Sequence, residues 1–90
     1  MEIDGRQLPN TLRMHRRLFH YKQKEAALML NVQPNVLSAW ENGKMKPGME
    51  HLLLLSALYK TFPQQLFPEH NRIVRRGLEE RVKQFHAHKK

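Results

Sequence analysis

Between Gln33 and Asn42 the chain sets four side chains that both donate and accept hydrogen bonds: Gln33, Asn35, Ser38 and Asn42. Glu41 is the one charge in that stretch. The planar amides of Asn and Gln present a donor and an acceptor side by side, which matches the major-groove edge of adenine. Leu37 and Trp40, at i and i+3, supply an apolar side to the same stretch. A helix here would bury that side and offer the amides on the other. No Ser/His/Asp arrangement or pair of carboxylates stands out for nucleophilic or general acid–base work, so no enzyme is expected. His86 and His88 form a His-x-His pair beside Lys89-Lys90. With no cysteine and no nearby carboxylate to complete a ligand set, they read as a solvated tail, and neither a metal nor a cofactor is expected.

The punctuation of the chain tells which elements must position these side chains. Pro9-Asn10-Thr11 offers a stop and a capping oxygen before a helix from Leu12 to Phe19, with Leu12, Arg16 and Phe19 inward. A second helix fits Gln23 to Leu30, whose small Ala26 and Ala27 let a partner helix approach closely. Asn31 tolerates the left-handed conformation that ends a helix, and Pro34 suits the first turn of the next one, which Gly43 closes. Pro47-Gly48 opens a fourth helix to about Tyr59, and a short fifth covers Gln64 to Phe67, closed by Pro68. A sixth spans about Asn71 to His86 and carries Val74, Leu78, Val82 and Phe85 on one stripe. No alternation of apolar and polar residues suggests a strand, so the fold class is all-α.

Size and charge narrow the partner. At 90 residues the chain is one domain with a thin core, and its formal net charge of +8 makes a polyanion the leading partner. The charge is uneven: residues 1–24 carry +4, residues 25–69 carry −1 and residues 70–90 carry +5. The amide-rich stretch therefore lies in the nearly neutral middle, flanked by basic ends. No apolar run approaches the roughly 20 residues that cross a bilayer, and the N-terminus lacks the apolar stretch of a secretory signal. The absence of cysteine fits a reducing cytoplasm.

From about Leu12 to Phe67 the sequence resembles the Cro/C1-type (XRE) helix-turn-helix family of phage repressors and bacterial regulators. The resemblance rests on Gln23, Ala27, Leu30, Val32, Leu37, Ser38 and Trp40-Glu41-Asn42-Gly43-Lys44. Lys46-Pro47, the leucine-rich fourth helix and Gln65-Leu66-Phe67 continue it in register. It implies a five-helix lambda-repressor-like DNA-binding domain over residues 11–68. An N-terminal arm (1–10) would precede that domain, and an additional basic helix and tail (69–90) would follow it. It also implies double-stranded DNA as partner, a homodimer on an inverted repeat, and a prokaryotic, phage or mobile-element setting in the cytoplasm, on the nucleoid.

Family roles transfer to matching positions. Gln23, with backbone N–H groups at its helix start, would hold a phosphate. Gln33, Asn35 and Ala39, with Pro34, Val36 and Ser38 among them, fall where relatives meet base edges. Asn42, Lys44 and Lys46 would clamp the neighbouring backbone. Arg16 and Glu41 align with an ion pair that ties the first helix to the recognition helix. The chain departs from the family at Asn31, in place of the usual turn glycine, and at Gln33 and Gly48, in place of Ser or Thr caps.

The sixth helix has three readings. Leu54 and Ala57, where relatives tend to be polar, are expected to receive its Val74–Leu78–Val82–Phe85 stripe, from the same chain or from a partner. Its arginine-rich outer face is either a DNA-backbone contact or simply solvated. Residues 70–90 could instead bind a toxin, making the chain an autoregulating antitoxin. A further alternative is a protein- or RNA-binding adaptor on the same fold. A membrane role is not expected, because the stripe is narrow and lacks Trp.

Overall fold

The computed structural model describes residues 9–88, which form six helices and, among the described residues, no strand. The elements are α1 (Leu12–Leu18), α2 (Gln23–Leu30), α3 (Pro34–Glu41), α4 (Met49–Leu58), α5 (Pro63–Leu66) and α6 (Pro68–His88). Most of the arm expected over residues 1–10, and the terminal Lys89-Lys90, lie outside the described residues.

Helices α1 to α5 surround one core built from Leu12, Ala26, Ala27, Leu30, Leu37, Trp40, Leu55, Tyr59, Leu66 and Phe67. Ala26 and Ala27 are fully buried, which brings α2 and α3 into close contact. Leu37 and Trp40 are the residues α3 turns inward, as their spacing requires. Of the four leucines 52–55, one alone, Leu55, is buried, because consecutive residues on a helix point in different directions.

Helices α1 to α4 all end in the same way. Just past the last helical turn, one residue takes the left-handed conformation: His20, Asn31, Gly43 and Lys60, with φ of 60, 59, 74 and 53°. At each, two backbone bonds close the end: at Asn31 they run from Asn31 N to Leu28 O (3.1 Å) and from Val32 N to Ala27 O (3.0 Å). This is the Schellman pattern, which satisfies carbonyls that the helix itself leaves open. At Asn31 it also turns Val32 onto the core, setting the sharp corner between α2 and α3.

The capping oxygen expected within Pro9-Asn10-Thr11 comes from Asn10, and one expectation, at Pro68, needs correction. Thr11 does not cap α1 with its side chain: its hydroxyl donates to Gln65 O at 2.6 Å, and its N–H donates to Leu66 O, tying the start of α1 to α5. Asn10 Oδ1 instead accepts from the Leu12 N–H at 3.0 Å. Pro68 does not separate α5 from a later helix but opens α6, three residues earlier than expected. Proline needs no donor in a first helical turn, so Phe67 alone makes the corner.

Helix α6 has no buried residue. Its 21 residues span about 31 Å at the helical rise, and the chain measures 55 × 28 × 20 Å. Within the chain α6 does not cover Leu54, which is 40% exposed; Val74 instead shares a groove with Leu52 on another face of α4.

Candidate nucleic-acid interface

The site is assembled around the Glu41 carboxylate, which is fully buried at the end of α3. A negative charge at a helix C-terminus is unfavourable with the helix dipole, so it needs donors from elsewhere. Arg16 of α1 provides two, Nε to Oε2 at 2.7 Å and Nη2 to Oε1 at 3.1 Å. Its third donor, Nη1, reaches the Tyr21 carbonyl at 3.0 Å, just beyond the left-handed turn at His20. The hydrogen bond to Glu41 raises the Arg16 pKa above its ordinary value, against the opposing effect of burial. Gln23, at the start of α2, adds Nε2 to Oε1 at 3.1 Å. One carboxylate thus joins α1, α2 and α3.

This fixes the direction in which α3 points. With Leu37, Trp40 and Glu41 inward, Gln33, Pro34 and Asn35 are exposed, and Val36, Ser38 and Ala39 are partly so. Gln33 is extended (φ −70°, ψ 145°) and its side chain makes no capping bond, which leaves its amide available. Pro34 takes the first helical position, where its fixed φ suits the turn. Lys44 and Lys46 are exposed in the loop that follows. Of the residues expected to meet DNA, Gln33, Pro34, Asn35, Lys44 and Lys46 are thus exposed, whereas the Gln23 amide is engaged with Glu41.

Arg13 was not singled out. It lies one turn before Arg16, with its Nε 3.5 Å from Glu41 Oε1 and its Nη2 donating to Asn42 Oδ1 at 2.6 Å. Asn42 in turn donates to Ser38 Oγ at 3.3 Å. The half-exposed Arg13 guanidinium thus adds a cation beside the loop carrying Lys44 and Lys46. Its i, i+3 spacing from Arg16 was the available signal.

A short helix, a left-handed turn and a second helix with an exposed amide face and a basic loop define a helix-turn-helix DNA-binding domain. A family model described as Helix-turn-helix matches residues 12–63, more than half of the chain. The chain belongs to this family, of the Cro/C1 type, and is a DNA-binding helix-turn-helix regulator. No curated protein and no solved structure matches it. Among the described residues no helix is long and apolar enough to cross a membrane.

Proposed function

We propose that the chain is a sequence-specific repressor that binds an inverted repeat as a homodimer, placing one α3 in each half-site roughly one helical turn apart. The observation that carries this reading is the anchoring of α3 through Glu41, with Gln33 and Asn35 exposed on α3 and Lys44 and Lys46 exposed in the loop after it. Asn35 and Gln33 would read base edges, Val36 and Ala39 would meet thymine methyls, and Ser38 would make a further polar contact. Pro34 would set the entry angle of α3. Asn42, Lys44, Lys46 and the Gln23 end of α2 would hold phosphates and fix the register. Occlusion of a promoter is the simplest mechanism for a domain of this size. The test is selection of bound sites from random DNA. A palindromic consensus supports the reading, and failure to enrich any sequence removes it.

A second reading, an antitoxin that represses its own operon, is favoured by the exposed apolar stripe of α6, which would bind the toxin. Co-purification with the product of an adjacent gene would favour it over a free-standing repressor.

A further inference from the structure

Helix α6 presents Val74, Leu78, Val82 and Phe85 on one stripe, with 54, 53, 44 and 61% of each residue exposed. At its base the stripe continues into a groove of about 510 Å³, to which Leu52, Pro63, Phe67, Asn71 and Val74 contribute. Val74 belongs to both, so the apolar surface is continuous from the groove to Phe85.

We propose that α6 pairs antiparallel with the α6 of a second copy, centred on Leu78, and that each copy seats its Phe85 in the groove of the other. This pairing is the interface of the homodimer proposed above and rests on that reading. At 1.5 Å per residue, Phe85 lies about 10 Å beyond Leu78, and Asn71 about 10 Å before it. A two-fold axis at Leu78 therefore brings the partner's Phe85 level with Asn71, over the groove. The same axis stacks Val74 on the partner's Val82 and Leu78 on its own copy, as an isologous contact requires.

Charge allows this orientation, and the groove selects it. Arg75 and Glu79 border one side of the stripe, and neither has an ion-pair partner among the described residues of its own chain. In the antiparallel pair that side faces itself, so Arg75 meets the partner's Glu79 twice. In a parallel pair it would face the opposite border, Gly77, Arg81 and Gln84, where Glu79 would meet the partner's Arg81, but Phe85 would then lie level with the partner's Phe85 and away from the groove. The stripes and grooves together would bury on the order of 1,000 Å², at the lower edge of stable interfaces. The dimer is therefore weak alone and is reinforced when both halves hold one DNA duplex. Residues 70–90 carry +5 in each copy, so added salt relieves their repulsion and strengthens pairing, opposite to its effect on DNA binding.

The chain has no cysteine, so single substitutions report the register directly. With a short bis-maleimide, full-length Leu78→Cys is expected to cross-link to itself. Val74→Cys and Val82→Cys should each fail alone and react when mixed. Sedimentation should show a dimer that tightens between about 0.05 and 0.3 M salt. Phe85→Ala or Val82→Glu should weaken it at least about tenfold, with unchanged circular dichroism because both side chains are exposed. Cross-linking of Val74→Cys alone as readily as Leu78→Cys would mean a parallel pair and overturn the proposal. A monomer throughout would overturn it as well. A monomer that still enriches a specific DNA half-site would do so while leaving the DNA reading intact, and Asn35→Ala should relax the preference at one base pair without altering the dimer.

Discussion

The Arg16 guanidinium grips the Glu41 carboxylate through two bonds, of 2.7 and 3.1 Å, and so locks α1 to the last turn of α3. The carboxylate is fully buried and the arginine side chain 12% exposed, so removing either partner strands a charge in low dielectric. Glu41→Ala and Arg16→Ala should each destabilise the domain by about 3 kcal/mol, measured by urea unfolding. The double replacement Arg16→Met/Glu41→Leu should cost less than the sum, because it leaves no buried charge, although the Tyr21 carbonyl and the Gln23 amide lose their partners. Additive losses would show that the two side chains act separately.

Tyr59 makes a prediction about alkaline pH. Its ring is stacked near His15 and tilted against Phe19, while its hydroxyl is buried with no hydrogen-bond partner among the described residues. Burial, with Glu41 nearby, pushes its pKa up to about 12. The unfolded phenol ionises near its ordinary value, about 10. The folded state keeps the proton longer, so this contribution to stability is complete below pH 10 and is lost as pH rises towards 12. Tyr59→Phe removes both the unpaired hydroxyl and the titration. It should be as stable as the parent at pH 7, or better by up to about 1 kcal/mol, and should lose less stability above pH 10. A variant clearly weaker at pH 7 would mean that the hydroxyl is bonded in solution.

Lys60 ends α4 at φ 53°, a conformation in which an L side chain crowds its own backbone. Its N–H reaches Ala57 O at 3.3 Å, and Thr61 N reaches Ser56 O at 3.0 Å, so the turn is fully formed despite that cost. Lys60→Gly should therefore raise the unfolding free energy by about 0.5–1 kcal/mol, with His20→Gly behaving alike. Asn31→Gly should gain less, since asparagine already tolerates this region. A loss at Lys60 would show that its side chain contributes more than its backbone strain removes.

These turns mark the limit of what the sequence revealed. Asn31 and Gly43 were legible because their types favour positive φ, whereas His20 and Lys60 adopt it only because the surrounding helices demand the corner. The α2–α3 unit was readable from Ala26, Ala27, Leu30, Leu37 and Trp40, whose spacing dictates a buried face. Pro68 was misread because proline both ends and begins helices, and only the packing of Phe67 decides which. The Gln23–Glu41 bond was hidden for a related reason: an amide at a helix start can face a phosphate or a buried carboxylate, and three-dimensional proximity chooses. For α6, periodicity required that Val74, Leu78, Val82 and Phe85 be covered but said nothing about the covering surface.

The separation between a neutral reading helix and basic flanks predicts two kinds of DNA-binding defect. Asn35 is exposed on α3 and uncharged, so Asn35→Ala should cost about 1–3 kcal/mol on the selected site and relax preference at one base pair. It releases no counterion, so the dependence of log K on log salt should keep its slope. Lys44→Ala and Lys46→Ala should weaken all sequences alike and flatten that slope by about 0.9 for each phosphate that is no longer neutralised. Arg13 provides the informative intermediate case. It holds Asn42 and leans on Glu41, so Arg13→Ala should lower affinity for every sequence, flatten the slope and also reduce stability slightly. Titrations of the four variants at several salt concentrations, on the selected site and on unrelated duplex, would resolve these effects. If Asn35→Ala changed the slope and left the base preference intact, α3 would be an electrostatic contact, and sequence would have to be read elsewhere.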